Sequence, residues 1–258
     1  QKLSEHIGPT KDIPAPDVNT NSQIMDWMVD EYSKITGDTT KASFTGKSID
    51  NGGSLGRDSA TGQGGLYVLE TVIESLDRKA EVFTYAVQGF GNVGAFFAEL
   101  IQDRFPNWKL VCVSDSSGAI VSEEGFDAHA FAKYKSDGGK FADFDSEGIT
   151  HIDAAEIISI DASILVLAAL GGVIKGDNSS IVRAQIVVEL SNGPVDSDAQ
   201  IELTGRGIVV IPDILANAGG VVVSYLEWLQ NMQNEHWSLK IVNGQLENYM
   251  KKATKDVL

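Results

Sequence analysis

An α/β fold built on a doubly wound parallel sheet is predicted by three features of the sequence. The apolar runs VFTYAVQ, KLVCVSD, ASILVLAAL, AQIVVEL and GIVVIPD are continuous, as strands covered by helices on both faces are. The stretches around them carry apolar residues at helical spacing. The first run ends in a glycine cluster that opens one of those helices.

The elements follow in order. Near the N-terminus, TKDIPAPDVNTN places Pro14 and Pro16 just ahead of Asp17, and two fixed φ angles stiffen the chain there. SQIMDWMVDEYSKITGD predicts a helix with Ile24, Trp27, Met28 and Tyr32 on one face, and with Thr20 or Asn21 as its N-cap. TGKSIDNGGSLGRDSATGQGG reads as a glycine-rich connector into a second helix, GLYVLETVIESLDRK. Strand VFTYAVQ then leads to helix NVGAFFAELIQDRF, and strand KLVCVSD to helix GFDAHAFAKYKSD. Three more strands follow, ASILVLAAL, AQIVVEL and GIVVIPD. Helices NAGGVVVSYLEWLQNMQ and LENYMKKATKDVL come last. Residues 1–49 are expected to be the end of one domain. Residues 50–258 form the doubly wound domain, with the helices of 218–258 crossing back over a cleft.

Composition excludes several classes of function. The 258 residues are 43% hydrophobic and 22% charged, ordinary values for a globular protein. Twenty Lys and Arg stand against 36 Asp and Glu, a net charge of −16. That balance speaks against nucleic acid, whose phosphates need clustered cations. It leaves two readings, a solvating acidic surface, which the even spread of the acids favours, or a moderately acidic cytosolic protein. No apolar run reaches the roughly 18 residues of a membrane span. The first ten residues show no signal-peptide core, and Cys112 stands alone. A lone thiol allows no internal disulfide and suits a reducing cytoplasm; its setting, KLVCVS, predicts a buried strand residue and not a nucleophile. His6, His129, His151 and His236 show no metal-ligand spacing. Chemistry must therefore come from a cofactor together with a carboxylate or a lysine.

The cofactor signal is VQGFGNVG, in which Gly89, Gly91 and Gly94 hold G-x-G-x-x-G spacing around Phe90, Asn92 and Val93. Gly89 allows a tight turn, Gly91 the approach of a pyrophosphate, and Gly94 close helix–sheet packing. The helix N-terminus offers free N–H groups and partial positive charge to the phosphates. Asp115, at the end of the next strand, is placed to hold a ribose 2′-hydroxyl, which suggests NAD. Ser114, Ser116 and Ser117, with Lys133 and Lys135 downstream, suit the 2′-phosphate of NADP. The motif leaves NAD and NADP both open. The bland alternative is a glycine-rich turn in a doubly wound protein that binds something else.

Taken together, PAPDVNTN, GGSLGRDSATGQG, VQGFGNVG, SNGP and IPDILANAGGVVVSYLEWLQN resemble the glutamate dehydrogenases, within the superfamily of glutamate, leucine, phenylalanine and valine dehydrogenases. The DVNT form, with Asn19, resembles the glutamate enzymes in particular. The resemblance implies a Rossmann-type domain beside the remnant of a substrate domain. It implies oxidative deamination of L-glutamate to 2-oxoglutarate and ammonia, with hydride transfer to NAD or NADP, in a homo-oligomer, commonly a hexamer. By the resemblance, Asp17 handles protons at the substrate amino group, and Pro16, Val221 and Ser224 line the substrate side chain. Thr61, Asn92, Asn192 and Asn217 match cofactor contacts, and Arg57 falls in a loop beside them. Read without the resemblance, Asp17 is a helix cap competing with Asn19, Thr20 and Asn21.

Three departures accompany the resemblance. The family's catalytic lysine lies in a glycine-rich segment ahead of PAPD; Lys2 and Lys11 are not in such a context, so the sequence reads as a core fragment. VLAALGGVI, with Leu167, Gly171 and Gly172, replaces the family's usual loop. ELSNGP places Leu190 and Ser191 where small residues are usual, and the larger Leu190 is expected to alter the fit of the cofactor. Two rival readings are a dehydrogenase for another amino acid and a non-catalytic paralog or regulatory subunit.

Overall fold

The computed structural model describes residues 2–258 apart from Val18 and Leu170. The valine of DVNT and the last residue of the ASILVLAAL run thus lie outside the described residues. The chain divides into two compact units, Gln1–Ala60 with Gly219–Tyr249, and Thr61–Ala218 with Met250–Leu258.

In the first unit, helix α1 spans Ser22–Thr36. The Asn21 side chain caps it by accepting from the Ile24 amide at 3.1 Å, and Gly37 ends it in the left-handed region. Asn21, one of the two caps expected, is therefore the cap, and Asp17 is not. The buried face is Met25, Val29 and Tyr32, packed with Phe44. The expected face shared only Tyr32 with it: Trp27 is 64% exposed, and Met28 lies partly exposed. Apolar residues Ile24, Met25, Trp27, Met28, Val29, Tyr32 and Ile35 admit two overlapping faces, and the packing of Met25 and Val29 with Phe44 selects between them. Ahead of α1, Asp17–Thr20 closes a turn in which the Asp17 amide donates to Thr20 Oγ1 at 2.7 Å. Asn19 takes φ 63° there, a conformation asparagine tolerates better than most residues. Helix α7, Gly219–Gln233, and the beginning of α8, Leu239–Val257, complete this unit.

The second unit holds the sheet. Among the described residues seven strands run in the order β4-β3-β2-β1-β5-β6-β7. The ranges are β1 Thr84–Gln88, β2 Lys109–Asp115, β3 Gly118–Phe126, β4 Thr150–Ile152, β5 Ile164–Leu167, β6 Ile186–Glu189 and β7 Val209–Ile211. Strands β2, β1, β5, β6 and β7 are parallel, as their continuous apolar runs predicted. Strands β3 and β4 are antiparallel additions that the sequence reading missed. Their signal is weak for physical reasons: β3 carries Ser122, Glu123 and Glu124 toward an edge, and β4 is three residues long.

Helices α2 (Ala60–Ser75), α3 (Asn92–Arg104), α4 (Ala128–Ser136), α5 (Ser197–Gly205) and α6 (Asp213–Ala216) accompany the sheet. Helix α5 was also missed. Helix α2 begins at Ala60, within the stretch read as a connector, because its glycines serve packing. A Cβ on Gly62 would stand 3.1 Å from the Phe97 amide nitrogen of α3, and one on Gly65 would stand 2.6 Å from Leu190 Cδ2. One sheet face, with Ala86, Cys112, Leu165, Leu167 and Val187, packs with Ile157, Ile158, Ala199 and Leu203. Tyr85, on the opposite face of β1, donates to the Ala98 carbonyl of α3. Cys112 is fully buried, and burial pushes its thiol up to about 12. No helix among the described residues is long and apolar enough to cross a membrane.

Candidate functional site

The first unit contains a cavity of about 500 Å³ lined by Ile13, Ala15, Pro16, Thr45, Arg57, Val221, Ser224, Tyr225 and Trp228. Most of its wall is apolar. Arg57 Nε donates to Ser224 Oγ at 3.1 Å. Ser224 is 8% exposed on α7, and Val221, one turn earlier, is 73% exposed. The two share a helix face, as positions three apart do. Burial works against the charge of Arg57, and the Glu227 carboxylate works for it; a guanidinium remains charged in either case. Trp228 stacks beside Tyr225 and donates from Nε1 to the Pro9 carbonyl at 2.8 Å, which fixes that wall. A mostly apolar chamber in which a guanidinium is bonded to a serine hydroxyl is suited to a short aliphatic chain that ends in a carboxylate. Arg57, expected beside the cofactor, thus lies with Ser224, Val221 and Pro16. Asp17 follows Pro16 directly and is exposed.

In the second unit, the glycines of VQGFGNVG separate by role. Gly89 has φ +87°, and a Cβ there would stand 2.5 Å from the Ala169 Cβ. A Cβ on Gly94 would stand 2.0 Å from the Gly89 carbonyl oxygen. Gly91 has no atom within 4 Å of the same position and precedes α3 without a side-chain cap. The backbone is therefore open at Gly91, where a phosphate would approach. A cavity of about 330 Å³ is lined there by Phe90, Gly91, Asn92, Ala95, Phe96, Lys135 and Ser136, among others. Phe90 is buried edge-on against Phe141 at 5.7 Å, and Val93 is half-buried in the first turn of α3. Gln88 ends β1 just ahead of the motif, and its Oε1 is buried with no hydrogen-bond partner. A buried acceptor without a donor is costly in a protein alone. The sequence reading passed over Gln88, whose signal was a polar residue closing an apolar strand.

Asp115 lies at the end of β2 with both oxygens engaged. Oδ1 accepts from the Ser117 amide at 2.7 Å and from its hydroxyl, and Oδ2 accepts from Lys135 Nζ and from the Phe141 amide. Burial alone would raise this carboxyl, but Lys135, Ser117 and Phe141 outweigh it and hold it at about 2. Lys133 pairs instead with Asp137, the residue that caps the C-terminus of α4. Ser116 is exposed at the turn after β2. Carboxylate and ammonium therefore stand side by side, one suited to a ribose hydroxyl and the other to a phosphate.

The loops after β5 and β6 run together. Gly172 donates to the Gly193 carbonyl, Val173 and Ile174 donate to Pro194, and Ile174 bridges Val195. Asn217 Nδ2 donates to Asn192 Oδ1 at 2.8 Å, joining two residues expected at the cofactor. Beneath them Gly193 donates to Asp213, and the Asp213 amide donates to Glu189 Oε2 at 3.0 Å. Glu189 is 4% exposed, and burial, aided by the Asp213 charge, pushes it up to about 7. Leu190 is buried against Gly65. Thr61 is the second residue of α2 and is half-buried.

Three comparisons give this geometry a context. A family model described as glutamate/leucine/phenylalanine/valine dehydrogenase matches residues 52–258, and the dimerisation-domain model of the same enzymes matches residues 1–34. The chain is 46% identical over 253 residues to a glutamate dehydrogenase of Thermotoga maritima, covering 98% of this chain and 60% of that protein. It superposes with a TM-score of 0.87 and 34% identity on a hetero-hexameric glutamate dehydrogenase of Thermus thermophilus in its leucine-bound form, covering 98% of this chain and 59% of that one. A glutamate dehydrogenase of Peptoniphilus asaccharolyticus gives a TM-score of 0.83 and 37% identity, with 98% and 59% covered. The chain thus spans about 60% of the length of the relatives it matches.

Proposed function

The chain belongs to the glutamate/leucine/phenylalanine/valine dehydrogenase family, and we propose that the complete protein oxidatively deaminates L-glutamate to 2-oxoglutarate and ammonia, reversibly. The observation that carries the choice of substrate is the Arg57–Ser224 pair in a mostly apolar chamber. The guanidinium and hydroxyl hold the side-chain carboxylate, while Pro16 and Val221 border the methylenes. Asp17 accepts a proton from the substrate amino group, a role that requires a carboxylate within hydrogen-bond reach of that nitrogen. The turn closed by Thr20 and the prolines before it restrict where that carboxylate stands.

The residues of the second unit fit a nicotinamide dinucleotide, which would accept hydride from the substrate α-carbon. The open backbone at Gly91 and the free amides of α3 at Asn92 and Val93 receive its pyrophosphate, with Gly89 and Gly94 shaping the turn. Phe90, Thr61, Asn192 and Asn217 border it. Asp115 accepts from the ribose 2′-hydroxyl of NAD; Lys135 and Ser116 serve the 2′-phosphate of NADP. The match of residues 1–34 to a dimerisation domain supports an oligomer of this chain, with six subunits by analogy with the Thermus hetero-hexamer.

The test is reduction of NAD+ or NADP+ by the complete protein with glutamate, followed at 340 nm, in wild type and Ser224→Val. Wild type should turn over glutamate, with kcat/KM for norvaline far lower. Ser224→Val should shift the glutamate-to-norvaline ratio toward norvaline by about 1–3 kcal/mol, the cost of removing one buried partner. A wild type inactive on glutamate, or an unchanged ratio, would overturn the assignment.

A further inference from the structure

We propose that Glu227 is a positioning residue: through the amides of Gly46 and Lys47 it holds residues 45–47 against Pro14 and Pro16, and so fixes where Asp17 stands. The inference rests on the reading of Asp17 as the proton acceptor.

Glu227 lies on α7 three residues after Ser224 and is fully buried. Its Oε2 accepts from the Gly46 amide at 2.9 Å. Its Oε1 accepts from Lys47 Nζ at 2.7 Å and from the Lys47 amide at 3.3 Å. Lys47 Nζ also donates to the Phe44 carbonyl, and neither side chain of the pair reaches solvent. A buried ion pair is by itself a weak source of stability, because desolvation offsets the attraction. The distinguishing feature here is directional. Three N–H donors from two consecutive residues converge on one carboxylate, and charge-assisted bonds of that kind fix orientation.

The clamped segment lies on the proline segment. Gly46 has φ +74°, and a Cβ there would stand 2.4 Å from Pro16 Cγ. Only a residue without a side chain can press its backbone against that ring. One residue earlier, the Thr45 amide donates to the Pro14 carbonyl at 3.1 Å. Asp17 follows Pro16 directly, and two proline rings fix φ on the way to it. A displacement of Gly46 is therefore passed to Asp17 with little slack. The same carboxylate also favours the charged form of Arg57, which bonds Ser224. One side chain thus ties the segment that ends in Asp17 to the helix that presents Ser224.

The experiment compares K47M/E227L with K47M/E227Q in the complete protein. Neither leaves Lys47 or Glu227 as a buried charge without the other, and both remove the Glu227 charge near Arg57 alike; they differ in whether residue 227 can accept from the Gly46 amide. The measurements are kcat and KM for glutamate, the dinucleotide Kd, and hydrogen exchange of peptides covering residues 10–21 and 42–48. In K47M/E227L, kcat should fall roughly 10- to 100-fold, the cost of misplacing a catalytic group by about 1 Å. Exchange should rise in both peptides, with dinucleotide Kd unchanged as the sign of an intact fold. K47M/E227Q should recover part of the kcat and part of the protection. Wild-type exchange over 10–21 in K47M/E227L, or identical behaviour of the two variants, would overturn the proposal. The exchange measurement needs no turnover, so it decides the positioning claim even if wild type fails to oxidise glutamate.

Discussion

Replacing Glu189 by glutamine should stabilise the protein above neutral pH and leave it unchanged in acid. Glu189 ends β6 with 4% of its surface exposed, and burial raises its carboxyl from 4.5 to about 7. The folded state therefore holds a proton that the unfolded chain releases near 4.5. Between these values the folded state binds more protons, so stability falls as pH rises through that window. At about 1.36 kcal/mol for each pH unit of difference, the loss accumulated by pH 8 is about 3 kcal/mol. Glutamine stays neutral at every pH, and its carbonyl oxygen still accepts from the Asp213 amide that Glu189 Oε2 now satisfies. It also removes the repulsion between this carboxylate and that of Asp213. For a chain of this size, about 3 kcal/mol corresponds to roughly 6–12 °C in Tm. The assay is thermal unfolding of both proteins from pH 4 to pH 9, plotted as the difference in Tm, in which shared contributions cancel. That difference should be near zero at pH 4, grow between about pH 5 and pH 7, and level off above. A difference that does not vary with pH would refute the reasoning, since it would show that Glu189 titrates alike in the folded and unfolded chain.

Two further predictions concern the proposed activity. Gly91→Ala should fold with wild-type Tm, because its Cβ meets nothing within 4 Å, yet weaken dinucleotide binding tenfold or more in calorimetric titration. Gly94→Ala, whose Cβ would stand 2.0 Å from the Gly89 oxygen, should instead lower Tm, and equal effects in both assays would contradict the division of roles. Asp17→Asn in the complete protein should leave KM for glutamate nearly intact and depress kcat roughly 100-fold or more, as loss of a general base does. A kcat within about threefold of wild type would remove Asp17 from proton transfer.

Local chemistry made much of this protein legible in its sequence. The parallel strands could be read because a strand covered on both faces must be apolar at every position, and a short window records that. The turn into α3 could be read because a G-x-G-x-x-G turn compresses three steric requirements into six residues. Helices α1 and α3, the cap of α1 and the burial of Cys112 belong to the same class. Strand β3 and edge strand β4 did not, because strands that meet solvent carry the polar residues of a loop. The glycines of α2 were misread because conformational freedom and close packing call for the same residue, and only Phe97 and Leu190 show which applies.

What tertiary structure alone decided lies between positions far apart in the chain. Arg57 meets Ser224 across 167 residues, and Lys47 meets Glu227 across 180. A lysine and a glutamate at such separation look like two ordinary surface charges. The same holds for Glu189, which the sequence shows only as an acid closing an apolar run. Propensity, periodicity and turn chemistry act over a few residues and leave their record in the order of the chain. The partner of a buried charge depends on which segments pack together, and no short window of sequence contains both sides of that contact.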